Sequence, residues 1–278
     1  MTKRIISGLI LVAILVAVVV LNLFFPFGMN LVISAITAVM VYELSEAFQL
    51  QKNYSFLIPT LAFSFAVPLI SNIFWLGACC AAYLFIMAVT MLVTYELREN
   101  VNFSHLATAI GMVVFITLAM ATLVGIRDNS YGHGAFYIFI VIMASWVADC
   151  GAYFAGSFFG KHKLCPRLSP KKTIEGVFGG FFLNILAMLV YGICYNWIFY
   201  GGALSISYLS LVLIGLICTV ISIIGDLTFS MIKRCFSIKD YGHIIPGHGG
   251  LLDRFDSVIF VAPFLYFFLQ LLPIVKIF

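Results

Sequence analysis

The stretch IISGLILVAILVAVVVLNLFF, residues 5–25, runs without a single charge and follows directly on Lys3 and Arg4. A membrane-crossing helix needs about 20 predominantly apolar residues, so this run is long enough to span a bilayer. It is longer than the apolar core of a typical secretory signal, and no small-residue cleavage site follows it. It therefore predicts an uncleaved first transmembrane helix. Similar runs sit near 29–48, 55–71, 73–95, 106–126, 135–159, 174–195, 204–225 and 257–275. The second carries Glu43 and Glu46 and the third Pro59 and Pro68, so eight or ten spans stay open beside nine.

Composition agrees. Of the 278 residues, 63% are hydrophobic and only 9% charged, against roughly 45–50% and about 25% in soluble domains. Mean hydropathy is +1.14. A water-soluble chain of this length cannot hide that much apolar surface, so lipid is its solvent. The seven cysteines form no CxxC pair and no Cys/His metal spacing, and most lie inside apolar runs. They read as small core residues. No nucleic-acid partner is expected.

Basic residues fix the orientation. With the N-terminus inside, the inner segments hold Lys3, Arg4, Lys52, Arg98, Lys161, Lys163, Arg167, Lys171, Lys172, Lys233, Arg234, Lys239 and Arg254, and the outer ones only Arg127 and Lys276. That asymmetry is the positive-inside pattern. The expected fold is an all-α, polytopic integral membrane helix bundle of about nine transmembrane helices with a cytoplasmic N-terminus. Residues 1–130 would supply spans one to five. Residues 131–278 would form a C-terminal catalytic membrane region, spans six to nine, with inner loops 160–173 and 226–256.

Any chemistry must be built from those two loops and the inner ends of the spans. Asp149 lies about 20 Å along the sixth span at ~1.5 Å per residue, where an aspartate needs a partner or a wet cavity. Ser145, Asp149, Ala152 and Gly156 share its helix face. Plain pairing of Asp149 with an inner-loop lysine is the simpler alternative. Glu43 and Glu46, near a helix end, read most simply as reaching for the interface.

The 226–256 segment is denser. Asp226 closes the eighth span, and Phe229, Ile232 and Phe236 follow at helical spacing, as in a helix lying on the inner membrane surface. Then come Lys239-Asp240, Pro246-Gly247-His248-Gly249-Gly250 and Leu251-Leu252-Asp253-Arg254-Phe255-Asp256. Glycines let backbone amides approach an anion, and amides at a helix N-terminus are a natural phosphate site. Asp253 and Asp256, three apart, share a helix face. Paired carboxylates beside a phosphate site suggest Mg²⁺, with Asp226 completing the set. In the other loop, Ser169-Pro170-Lys171-Lys172-Thr173-x-Glu175-Gly176 places lysines and hydroxyls at another helix start, a second phosphate contact.

Taken together, Ser230-x-x-Lys233-Arg234, Lys239-Asp240 and His248-Gly249-Gly250-x-x-Asp253-Arg254-x-Asp256 resemble the C-terminal signature of the phosphatidate cytidylyltransferase (CDP-diacylglycerol synthase) family. The stretches at 169–176 and Asp149-x-x-Ala152-Tyr153 match its other recurring segments. The resemblance is specific over roughly residues 145–260. It implies cytidylyl transfer from CTP to phosphatidic acid, giving CDP-diacylglycerol and pyrophosphate, with Mg²⁺ required.

On that basis Asp226, Asp253 and Asp256 are assigned to metal. Lys172, His248 and Arg254 would hold the CTP phosphates, with Ser169, Thr173, Gly249 and Gly250 as further substrate contacts. Lys233, Arg234 and Lys239 would lie near the lipid or pyrophosphate, and Asp149 would contact a second cation or order the basic groups. Besides the two substrates and membrane lipids, a homodimer is a compatible partner. The expected site is a bacterial inner (plasma) membrane with chemistry on the cytoplasmic side. The alternatives are a CTP-dependent polyprenol or diacylglycerol kinase, and a cation or lipid transporter using Asp149 and Glu43.

Overall fold

The computed structural model describes residues 25–97, 103–130, 132–244 and 249–275. The first expected span up to Phe24, together with Arg98, His248 and Lys276, lies outside the described residues. The helices are α1 (Pro26–Ala47), α2 (Tyr54–Ala66, prolonged by a 3₁₀ turn Val67–Leu69), α3 (Ile73–Leu97), α4 (Phe103–Asp128), α5 (Gly134–Phe159), α6 (Ile174–Tyr200), α7 (Tyr208–Cys235) and α8 (Leu252–Leu271). Six of them, α1 and α3 to α7, are long and apolar enough to cross a membrane. The chain is an all-α integral membrane protein.

Local sequence explains most boundaries. Pro26 opens α1, where its missing N–H costs nothing. Pro59 and Pro68 keep α2 short: one sits inside it and the other in the 3₁₀ turn that ends it. Gly201, at φ 58°, closes α6 in the left-handed conformation, and its N–H reaches the Trp197 carbonyl at 3.2 Å.

Two expectations change. Helix α7 does not stop at Asp226 but runs unbroken for 28 residues to Cys235, about 42 Å at 1.5 Å per residue, against a hydrocarbon core of ~30 Å. The Phe229–Ile232 stripe that reads as a membrane-surface face is buried in protein instead, at 0% and 7% exposure. The 160–173 loop is not irregular. It folds into an antiparallel hairpin of β1 (Lys163–Cys165) and β2 (Ser169–Thr173), with Lys163 opposite Thr173 and Cys165 opposite Ser169.

The chain divides into two compact units, one of residues 1–125 and 235–255, the other of 126–234 and 256–278. The segment 235–255, expected with the C-terminal region, is grouped with the first unit. In the first unit α1 packs on α2 and α2 on α3; Phe63 stacks on Tyr83 at 4.2 Å between ring centres. In the second, α5 and α6 lie backbone to backbone. A methyl group added at Gly176 would come within 2.6 Å of the Ala152 carbonyl oxygen, and one at Gly151 within 2.7 Å of the Gly179 carbonyl oxygen. Small residues allow this approach in lipid, where dispersion and hydrogen bonds hold helices together. Fully buried Asn184 cross-links the unit, donating to the carbonyls of Ala144 (3.0 Å) and Gly215 (3.3 Å) and to Thr219 Oγ1 (3.0 Å).

Candidate active site

The polar residues of the second unit gather at one end of α5, α7 and α8 and at strand β2. The two lysines of β2 differ in burial: Lys171 is exposed, whereas Lys172 is half-buried and its Nζ forms an ion pair with Asp226 Oδ2. Among the described residues that ammonium has no hydrogen-bond partner beyond this pairing, which leaves N–H donors for an incoming anion. Asp226, on α7, also accepts from Ser230 Oγ at 3.5 Å, one helical turn on.

Asp149, on α5, is held from two sides. Ser257 Oγ donates to its Oδ2 at 3.0 Å and Ser222 Oγ to its Oδ1 at 3.4 Å. It lies close enough to Lys172 and Asp226 for both charges to act on it. Asp256, 7% exposed, accepts from the Ser257 amide at 2.7 Å and is acted on by Asp226, Asp149 and Lys233. Three carboxylates thus face two lysines, so acidic groups outnumber basic ones in a poorly hydrated place.

Such a cluster suits a cation. The donors are hard oxygens, the kind Mg²⁺ prefers, and Mg²⁺ commonly takes only one or two carboxylates with substrate phosphates and water completing its shell. Among the described residues no three His, Cys, Asp or Glu side chains converge tightly enough to enclose an ion by themselves. The residues therefore fit a metal that arrives with a phosphorylated substrate, not one locked in a protein cage. Asp226 and Asp256 are the carboxylates that could hold it.

The first unit holds the glycine-rich segment, and its carboxylates are employed differently. Asp253 Oδ2 accepts from the Tyr241 amide at 2.8 Å and the Gly250 amide at 3.0 Å. Glu43, 1% exposed, accepts from the Leu251 amide through Oε1 at 2.9 Å and from the Leu252 amide through Oε2 at 2.8 Å. The amides that the sequence offers to a phosphate at the start of α8 already have carboxylate acceptors. Gly249 sits at φ +83°, a conformation that favours glycine. Lys239 is exposed on the approach to this loop and Arg254 is half-buried just after it.

At the second expected phosphate contact one hydroxyl is already engaged. Thr173 Oγ1 is the N-cap of α6 and accepts from the Gly176 amide at 3.1 Å; Ser169 pairs with Cys165 in the hairpin. Of the residues expected from sequence, Lys172, Asp149, Asp226, Asp256 and Lys233 are brought together in the second unit. Arg234 lies exposed near the end of α7. Ser222, Ser257 and Asn184 were not expected. The signal for Ser222 was available, since it follows Thr219 and precedes Asp226 along one side of an apolar helix, and polar residues within a span usually face a partner.

A membrane-embedded helix bundle that sets a half-buried lysine among carboxylates at one end offers both an anion contact and oxygen donors for a cation, as enzymes acting on phosphorylated substrates require. The Cytidylyltransferase family profile matches residues 2–272, and the chain belongs to that family. It is 38% identical over 188 residues to the phosphatidate cytidylyltransferase of Bacillus subtilis (strain 168), covering 67% of each chain. A phosphatidate cytidylyltransferase of Staphylococcus epidermidis is 44% identical over 132 residues, 48% of each chain. One of Staphylococcus aureus is 36% identical over 181 residues, 63% of this chain and 64% of that one. The aligned parts therefore span from about half to about two thirds of these relatives.

Proposed function

We propose that this chain transfers the cytidylyl group of CTP to phosphatidic acid, yielding CDP-diacylglycerol and pyrophosphate. The observation that carries this reading is the half-buried Lys172–Asp226 pair set among Asp149 and Asp256, in a chain of the cytidylyltransferase family.

The chemistry asks little proton transfer of the protein. A phosphate monoester has a second pKa near about 6, so at neutral pH much of the lipid phosphate is already a dianion. One of its oxygens attacks the α-phosphorus of CTP, the bond from that phosphorus to the bridging oxygen breaks, and pyrophosphate leaves with the electron pair. Two anions must meet for this to happen, so charge neutralisation and alignment dominate the barrier. Lys172 supplies one positive group, with N–H donors to spare for phosphate oxygens, and Lys233 a second beside Asp256. Asp226 and Asp256 would hold Mg²⁺, which when bound neutralises the triphosphate. Asp149, fixed by Ser222 and Ser257, keeps the lysine and the two aspartates in register. His248, Arg254 and Lys239 remain contacts for the nucleotide or leaving group; Asp253 enters through the loop that it ties.

The 13 basic residues of the inner segments against two outside support a reading of nine spans with a cytoplasmic N-terminus. In that orientation β2 and the acidic cluster would lie on the cytoplasmic side of a bacterial plasma membrane, where CTP is available. The lipid-kinase and transporter alternatives are not favoured by membership of this family.

The deciding experiment incubates membranes containing the full chain with phosphatidic acid and CTP labelled in the cytosine ring, with and without EDTA. Cytosine label entering the lipid fraction only when divalent metal is present is the expected result. Label that stays water-soluble while phosphate from the γ-position enters lipid would replace transfer by a kinase reaction.

A further inference from the structure

We infer that Glu43 is a positioning residue for the transfer proposed above: its carboxylate seats the glycine-rich loop and the first turn of α8. The inference rests on that function for its catalytic consequence, but its geometry stands alone. The first N–H groups of any helix lack partners within it. At the start of α8 the amides of Leu251, just before the helix, and Leu252, its first residue, are each taken by a different oxygen of Glu43, a side chain more than two hundred residues earlier in the sequence. A negative charge at this end also complements the helix dipole.

The glycines around it make the same point. A methyl group at Gly250 would fall 2.6 Å from Glu43 Oε2, and one at Gly242 would collide with Oε1. The loop is shaped to receive this carboxylate. Asp253 ties the loop a second time by holding the Tyr241 and Gly250 amides on one oxygen. Glu46, one turn along α1, is exposed, which separates the two glutamates that sequence treats alike. Leu252 begins the helix that carries Asp256 four residues later, so an unseated helix start displaces a residue of the acidic cluster through its own backbone.

A carboxylate is required because both acceptors face N–H donors. Glutamine would turn an NH₂ group toward one of those amides, and aspartate would retreat by one methylene while keeping both acceptors. The test uses the full chain purified in detergent, with kcat and KM measured on the monodisperse fraction and trypsin cleavage at exposed Lys239 followed by mass. E43Q is expected to lose at least tenfold in kcat, with KM for CTP within about twofold, since misplacement of catalytic groups by about an ångström costs up to a hundredfold. Cleavage at Lys239 should accelerate at least tenfold in E43Q; E43D should recover part of both effects, and E46Q should match wild type.

Wild-type turnover and protection in E43Q overturns the inference. So does a drop in kcat with Lys239 protected as before, because Glu43 would then act by some route other than seating the loop. If the wild-type chain transfers no cytidylyl group while E43Q still opens Lys239, the proposed function fails and the seating of the loop stands.

Discussion

Among the described residues, two groups of buried or half-buried carboxylates face different partners. In the second unit Asp149, Asp226 and Asp256 face lysines and one another. In the first, Glu43 and Asp253 face backbone amides. A carboxylate that accepts from amides ties a loop and a helix end into place. A carboxylate paired with an ammonium in a cluster where acidic groups outnumber basic ones can exchange that partner for a metal or see it drawn to a phosphate. Residue type alone does not separate these roles; the identity of the donor does.

The largest effect is expected where the comparison is sharpest. D256N removes charge from the cluster, while D253N, three residues away on the same helix, leaves one oxygen to accept from Tyr241 and Gly250. D256N should lower kcat by roughly a thousandfold, in the range that loss of an electrostatic group at a transition state costs, and no Mg²⁺ concentration should restore it. D253N should cost about tenfold. Steady-state cytidylyl transfer on both purified variants measures the difference; equal losses would merge the two groups of carboxylates into one.

The paired lysines of β2 give the next contrast. Lys171 is exposed and Lys172 is paired with Asp226, so K172A should lower kcat by about a hundredfold, and K171A should stay within twofold. The same assay reads both. A loss in K171A as large as in K172A would mean that topogenic or surface charge, not the ion pair, is what the reaction needs.

How much of this sequence could read is itself informative. Period and length sufficed for the helices, because an apolar run of about 20 residues has few alternatives in lipid. They failed at the end of α7, where Phe229 and Ile232 carry a stripe that suits a membrane surface or a protein neighbour equally; only packing decides, and it buried them. Asp149, Lys172, Asp226 and Asp256 were each legible as candidates because charges inside or beside apolar helices are costly and must be compensated, but their grouping was not: sequence put Asp226 with Asp253 and Asp256, and Lys172 with His248 and Arg254. Which anion fills the glycine-rich amides was not legible. Gly249 and Gly250 announce that something approaches the backbone closely, but a phosphate and a glutamate from α1 make the same demand on glycine. Glu43 was read as an interfacial residue because nothing local links it to residue 251.

The smallest effect lies at the far end of α5 and separates the cluster's own pH response from that of the unit around it. His133 caps α5, with Nδ1 2.9 Å from the Tyr195 hydroxyl and 3.4 Å from that of Tyr200, beside a cavity of ≈ 770 Å³ also lined by Asp128, Tyr137 and Gln270. Burial pushes its pKa below the ordinary histidine value. The unfolded chain then takes up the proton first as pH falls, near about 6.5, so the unfolded state binds more protons and stability declines with acidity. The contribution is complete above that value and is lost as pH drops through the lower folded-state pKa. The thermal midpoint of the detergent-solubilised chain should therefore decrease between pH 7.5 and 5.5. H133Q, which keeps a hydrogen-bonding group but does not titrate, should flatten that slope by a few degrees or less while leaving kcat at pH 7.5 unchanged. A slope equally steep in H133Q would assign the acid sensitivity of this unit to the aspartate cluster instead, and the pH profile of turnover would then have to be read as stability and chemistry together.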